Sequence, residues 1–247
     1  MSSSVLITGA NRGIGRELLR KYLAEPDSTV ISGVRLEQHP TVDDIRKFPV
    51  AEGSRHIVVK IDSDSLVDAH IAVNKLQSQF GIAKLDTVIA NAGIGKIWEV
   101  TARTPIREVE EHLRTNAMGP FSLYLAVRSL LLASQMPRFV VISTELGSIG
   151  MQGQRKIPDV AYGMSKAAVN FFVNKVHHEE PRIISFPIHP GWVRTDLGNA
   201  IASAIGMEKA SITEEESAAA VFEQIEKSTK KETSGHFLNH KGVEIPW

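Results

Sequence analysis

The chain has 247 residues, in which 28 lysines and arginines balance 28 aspartates and glutamates. Neither sign clusters, which argues against a nucleic-acid or membrane footprint, and the absence of cysteine excludes disulfides, thiolate nucleophiles and sulfur-ligated metals. The length supports one core, and no repeat, linker or low-complexity tract interrupts it, so a single domain over residues 1–247 is expected.

The start, Met1-Ser2-Ser3-Ser4, has no basic or apolar leader, which makes a cytoplasmic protein the default, and no apolar run approaches the length of a membrane span. Val5 to Ile7 is a short β-rich run that ends in Thr8-Gly9-Ala10-Asn11-Arg12-Gly13-Ile14-Gly15, and Arg16 to Leu23 then carries leucines at helical spacing. Strand, glycine turn and helix in that order can cradle a pyrophosphate. The glycines allow close backbone approach, and the helix start offers free N–H groups.

Thr29 to Val34 reads as a second strand with Arg35 at its end. A carboxylate there would bind a ribose 2′-hydroxyl, whereas an arginine accommodates a 2′-phosphate. No acid stands among residues 32–35, and Arg12 offers a second cationic arm, so NADP is favoured over NAD. A short helix over 41–47 and a third strand over 56–61 lead to Asp62, which stands either to meet an adenine amino group or to cap the next helix, over 65–80.

A fourth strand over 85–90 ends in Asn91-Ala92-Gly93. Thr104-Pro105 has the form of a helix start, a capping side chain followed by proline, and helical spacing runs from there to Ser134 with an interruption around Asn116 to Pro120. A fifth strand over 138–143 meets Thr144-Glu145-Leu146-Gly147, and a loop leads to the helix carrying Tyr162 and Lys166. The sixth strand, over 183–188, is followed by His189-Pro190-Gly191-Trp192-Val193-Arg194-Thr195-Asp196. Thr213 with Glu216 forms a capping box, and Phe237 opens a last short strand. Alternation of this kind predicts an α/β, Rossmann-type doubly wound, mostly parallel seven-stranded sheet with helices on both faces.

Tyr162 and Lys166 lie four apart, hence on one helix face. A cation ~4 Å from a phenol at an effective dielectric of ~20 supplies ~4 kcal/mol, enough to lower the phenol pKa by ~2 to 3 units. Taken alone, such a pair carries little weight. Joined to Thr8-Gly9-x-x-x-Gly13-x-Gly15, Asp62, Asn91-Ala92-Gly93, Asn116, Ser143-Thr144 and Pro190-Gly191-x-Val193-x-Thr195, it resembles the short-chain dehydrogenase/reductase family along the whole chain. The Asn11-Arg12 filling of the glycine turn and the closing Gly235-x-Phe237 … Ile245-Pro246-Trp247 are similar to its carbonyl-reductase-like group.

The resemblance implies a hydride passing from NADP(H) to a carbonyl carbon while Tyr162 protonates the oxygen. It implies that Lys166 holds the ribose hydroxyls, that Asn116 orders a water of the proton relay, and that Val193 and Thr195 hold the carboxamide. Gly9, Asn11, Arg12, Gly13, Ile14, Gly15, Arg35, Asp62, Asn91, Ala92, Gly93, Pro190 and Gly191 complete the expected cofactor cleft, with Asn91 as its structural support. Two departures stand out. Ala90 replaces an asparagine of the family pattern, and Thr144 stands where the family has its catalytic serine, with Ser143 one place earlier. Adjacent residues of an extended segment point to opposite faces, so only one of them can serve, and Thr144 is favoured.

Substrate loops are expected near 94–104, 147–160 and 196–212, the last a small, apolar segment able to act as a lid. The expected substrate is a small-molecule carbonyl compound, a bulky one, aromatic compounds included, and the resemblance suggests a homodimer or homotetramer. Imine reduction or an assisted cyclisation remain open on the same fold, as does an NADP-binding sensor or scaffold without turnover. No metal site is expected. His177 and His178 are adjacent on a helix and should diverge, and no His-Glu-x-x-His spacing or Gly-x-Ser-x-Gly elbow occurs.

Overall fold

The computed structural model describes residues 3–154 and 157–247; the first two residues of the chain and the centre of the expected 147–160 loop lie outside this range. Seven strands form one sheet: β1 (Ser3–Thr8), β2 (Ser28–Val34), β3 (Arg55–Lys60), β4 (Thr87–Ala90), β5 (Arg138–Ile142), β6 (Ile184–His189) and β7 (Leu238–Asn239). Their order is β3-β2-β1-β4-β5-β6-β7, and every neighbouring pair is parallel, so the sheet is wholly rather than mostly parallel. Phe237 sits just before β7, fully buried.

The helices are α1 (Gly13–Leu23), α2 (Pro40–Arg46), α3 (Asp68–Phe80), α4 (Ile106–Leu113), α5 (Gly119–Leu132), α6 (Val160–Glu179), α7 (Asp196–Ala204) and α8 (Glu214–Glu226). Side chains alternate across the strands. Leu6, Ile31, Val88 and Val141 enter one core with α3, α5 and α6, while Val5, Ile7, Val30, Ile89 and Val140 enter the other with α1 and α8. Strands buried on both faces explain the near-continuous apolar runs in the sequence.

The order reverses at β1, which pairs β2 on one side and β4 on the other, with Thr8 opposite Gly33 and Ile7 opposite Ile89. Chains leaving β1 and β4 therefore part company, and a crevice opens beyond their carboxyl ends.

Several local readings change. Thr104 does not cap α4: its hydroxyl donates to the carbonyls of Glu99 and Val100, and Pro105 occupies the cap position with no side-chain bond. Asp62 does not cap α3 either, since Ser65 accepts from the Asp68 N–H and the helix begins at Asp68. Between α4 and α5 the interruption is a π-type turn over Arg114–Met118. Pro120 has no N–H with which to close the α-type bond to the Asn116 carbonyl, and the chain widens there.

The 196–212 segment contains the helix α7, opened by Thr195, whose hydroxyl accepts from the Gly198 N–H. The Thr213–Glu216 capping box is present in full. The rings of His177 and His178 do not diverge but meet edge to face at 4.8 Å. Among the described residues, no helix is long and apolar enough to cross a membrane, and no group of three or more His, Asp and Glu side chains has the arrangement of a metal site.

Candidate active site

The crevice is a continuous cleft of about 1190 Å³ running from the glycine turn past Tyr162 to α7. At one end the backbone of Gly9 and Gly13 adopts φ of +65° and +56°. A Cβ on Gly15 would stand 2.4 Å from the Asn91 amide nitrogen and 2.5 Å from the Gly9 carbonyl oxygen. Asn91 earns that closeness by donating to the Thr8 carbonyl at 2.8 Å, while the Thr8 hydroxyl accepts from the Asn91 and Ala92 N–H groups. The turn is thus a bare backbone cradle at a helix start, which could hold a pyrophosphate.

Arg12, Arg35, Asn11 and Asp62 border the same end, with Ala92 and Gly93 on the floor. Arg12 is paired at 3.9 Å with Asp196, both strongly exposed at 67% and 97% of their side-chain areas. Such a pair is worth ~0 to 1 kcal/mol and yields readily to a bound phosphate. The Asp62 carboxylate accepts from the Asp64 N–H at 3.1 Å, which fixes its direction at the end of β3. Asn11 donates to the Thr41 hydroxyl at 2.6 Å, and that hydroxyl bonds the His39 imidazole at 2.9 Å.

At the other end Tyr162 and Lys166 rise from the first turns of α6, only 5% and 4% exposed. The Lys166 ammonium donates to the Ile142 carbonyl at 2.8 Å and lies 5.7 Å from the centre of the Tyr162 ring. Burial, and after it the Asp159 carboxylate, push the Tyr162 phenol well above its usual range. Burial lowers Lys166 to about 8 and raises Asp159 to about 6. The expected lowering of the phenol by Lys166 is therefore not found in this arrangement: loss of solvent outweighs the cation, whose hydrogen bond is directed to a carbonyl.

Asn116 is 1% exposed, and its amide is committed. It accepts from the Ile94 N–H at 2.8 Å and donates to the Ile94 carbonyl at 2.8 Å and the Ser165 hydroxyl at 3.0 Å. Ser143 and Thr144 separate as adjacent extended residues should. Both border the cleft, but the Ser143 hydroxyl is spent in donation to Asn170 at 2.6 Å, whereas Thr144 accepts from the Leu146 N–H at 3.3 Å, which leaves its hydroxyl proton available.

Pro190, Gly191, Val193 and Thr195 line the cleft between its two ends, and Ile14 lines it beside the glycine turn. Beyond Tyr162 the walls are apolar: Leu146, Ile157, Trp192, Leu197 and Ile201 cluster there, and the Trp192 indole is fixed by donation to the Gly198 carbonyl at 2.9 Å.

Sequence reasoning passed over Arg16, His39 and Thr41 on the nucleotide rim, and Glu145, His189 and Glu214 on the walls. Arg16 had a signal, since it follows Arg12 by one helical turn. The others come from segments whose approach only the tertiary fold reveals. Glu214, for example, opens α8 within 4.0 Å of the Cβ position of Gly13, and burial together with Glu17 raises its carboxyl pKa.

Residues 3–206 match the short chain dehydrogenase family. The norsolorinic acid ketoreductase of Aspergillus parasiticus is 38% identical over 98% of this chain and 90% of its own length, and that of Dothistroma septosporum is 39% identical over 99% and 92%. Among solved structures, the carbonyl reductase Sniffer of D. melanogaster superposes with a TM-score of 0.85 at 25% identity, covering 100% of both chains. The NADPH-bound carbonyl reductase from chicken fatty liver also gives 0.85, at 24% identity, over 100% of this chain and 99% of its own. With that match and that identity across nearly its full length, the chain belongs to the short-chain dehydrogenase/reductase family and is an oxidoreductase related to ketoreductases and carbonyl reductases.

Proposed function

We propose that the protein is an NADPH-dependent reductase of ketones or aldehydes, acting as a single domain on a bulky apolar carbonyl compound. The observation that carries this reading is the cleft itself, in which a buried tyrosine with a lysine one turn away opens on the same channel as the glycine cradle and its arginines. The bound cofactor supplies the hydride, and the Gly9–Gly15 turn, Asp62 and the Ala92-Gly93 backbone hold its nucleotide end.

Arg35 and Arg12 neutralise the 2′-phosphate, in the absence of any acid at the end of β2 that would select a free hydroxyl. Lys166 orients the ribose hydroxyls, and the Pro190 to Thr195 segment holds the carboxamide. Thr144 donates its free hydroxyl proton to the substrate oxygen, and Tyr162 delivers its own proton as that oxygen gains charge. The phenol is protonated at neutral pH, and because burial weakens it as an acid, the Lys166 cation one turn away has to support the phenolate as the proton leaves. Asn116, its side-chain amide committed to Ile94 and Ser165, orders the water of the proton relay at the π-type turn.

The apolar walls beyond Tyr162, from Leu146 to Ile201, favour a large hydrophobic substrate, consistent with relatives named as ketoreductases. We place the enzyme in the cytoplasm as a homodimer or homotetramer. The test is NADPH oxidation across ketones, aldehydes, quinones and imines, beside Tyr162→Phe. Turnover by the wild type that vanishes in the variant supports the reading. NADPH binding without turnover of any compound overturns it in favour of a sensor.

A further inference from the structure

The segment between β4 and α4 has no regular structure up to Thr101, yet it is gripped at two points. His112, in the last turn of α4, is fully buried. Its Nε2 meets the Lys96 N–H at 3.1 Å and its Nδ1 meets the Glu108 carbonyl oxygen at 2.6 Å. An N–H can only donate and a carbonyl can only accept, so both ring nitrogens are used and the imidazole is neutral with its proton on Nδ1. Asn116, four residues on, grips Ile94 through both its N–H and its carbonyl. The Lys96 ammonium adds a third tie, to Glu111.

The product of this grip is the placement of Trp98. Its ring meets Tyr162 edge to face, with centroids 5.6 Å apart at 69°. Gly95 makes the approach possible, because a Cβ there would stand 3.2 Å from the Trp98 ring and 3.0 Å from Leu197 of α7. Trp98, Leu197 and Tyr162 therefore belong to one apolar cluster, which closes one side of the tyrosine against water.

We propose that Trp98 is a positioning residue that fixes the Tyr162 ring and keeps water from it, and that His112 holds Trp98 in place through the backbone of residue 96. The role in turnover rests on Tyr162 as the proton donor; the shielding does not. The Asp159 carboxylate, which raises the phenol, and the Lys166 ammonium, 5.7 Å from the ring centre, are left untouched by changes at either position.

The test titrates the tyrosines by their alkaline ultraviolet absorbance, with Tyr162→Phe as the blank that isolates Tyr162. In the wild type Tyr162 should resist ionisation up to the alkaline limit of the folded protein. In Trp98→Ala its midpoint should fall by about one pH unit or more, tenfold in the ionisation constant, with a fall of similar size in kcat/KM carried mainly by kcat. Trp98→Phe should keep most of the wild-type behaviour. His112→Phe should move the midpoint the same way, and His112→Gln, whose amide oxygen can accept from the Lys96 N–H, should restore it. An unmoved Tyr162 titration in folded Trp98→Ala overturns the shielding. A shift in Trp98→Ala that neither His112 variant shares overturns the role of His112, and if His112→Phe does not fold, failure of His112→Gln to match the wild type has the same force. Because the titration needs no substrate, a wild type that turns over nothing would defeat the proposed activity and leave this result standing.

Discussion

The two ends of the cleft are built on opposite principles. Around Tyr162 the polar side chains of Lys166 and Asn116 are buried and hydrogen-bonded into place, through the Lys166–Ile142 bond and the Asn116 grip on Ile94. At the nucleotide end the shape comes from missing side chains, and the charge comes from arginines that stand in solvent. A buried, fixed dipole acts at nearly full strength, whereas an exposed cation is screened within ~8 Å at physiological salt. The chemical end should accordingly respond to substitution in large steps insensitive to salt, and the rim in small, salt-dependent ones.

The largest step is expected for Tyr162→Phe, which should lower kcat by about 10³-fold or more while NADPH affinity, measured by fluorescence titration, stays within about twofold. Retained turnover would show that the buried end is not where the proton is given. Next, Thr144→Ala should cost about 10²-fold in kcat, as loss of one donor to a developing oxyanion does. Ser143→Ala should leave turnover nearly intact and instead lower stability by ~1 to 3 kcal/mol, since Asn170 loses its buried partner. Equal, small kinetic effects of the two would sink the assignment of Thr144.

On the rim, Arg35→Ala should raise KM for NADPH about tenfold and leave KM for NADH unchanged, with the difference shrinking as salt is added. Arg12→Ala should do less, a few-fold, because release of its exposed pair with Asp196 offsets up to ~1 kcal/mol of what the guanidinium gains. The smallest effect is thermodynamic. The folded Lys166 pKa of about 8 lies below the ordinary 10.5, so between these values the unfolded chain holds more protons and stability rises with pH. Lys166→Met should flatten part of that rise in urea unfolding measured at pH 7.5 and 9.5; an identical slope in both proteins would mean that the lysine is not desolvated.

Much of the nucleotide end is legible in the sequence, because its signal is local. Gly9, Gly13 and Gly15 follow a strand and open a helix within one contiguous stretch. The Thr213–Glu216 box is local in the same way, and it is legible to the residue. The substrate end resists, because its walls are chosen by tertiary contact. Trp98 meets Tyr162 on a segment that His112 and Asn116 bond from another part of the chain, and α7 hides in a run of small residues whose one clear mark is the Thr195 cap. Thr104-Pro105 misleads for a physical reason: its hydroxyl finds carbonyls behind it before it finds an N–H ahead. The Tyr162 phenol lies above rather than below its usual range for a like reason, since spacing on a helix shows which charge is near but not how much water has been removed.

The contact between Gly15 and Asn91 carries one more consequence. The space where a side chain at 15 would sit is filled by an amide from the far end of β4, so the cradle exists only once β1 and β4 are joined. Cofactor binding is then a reporter of folding across the reversal in strand order, and nucleotide at a hundredfold excess over its Kd should stabilise the native state by ~2.7 kcal/mol. A chain in which the two halves of the sheet come apart would have no partial pocket left with which to bind.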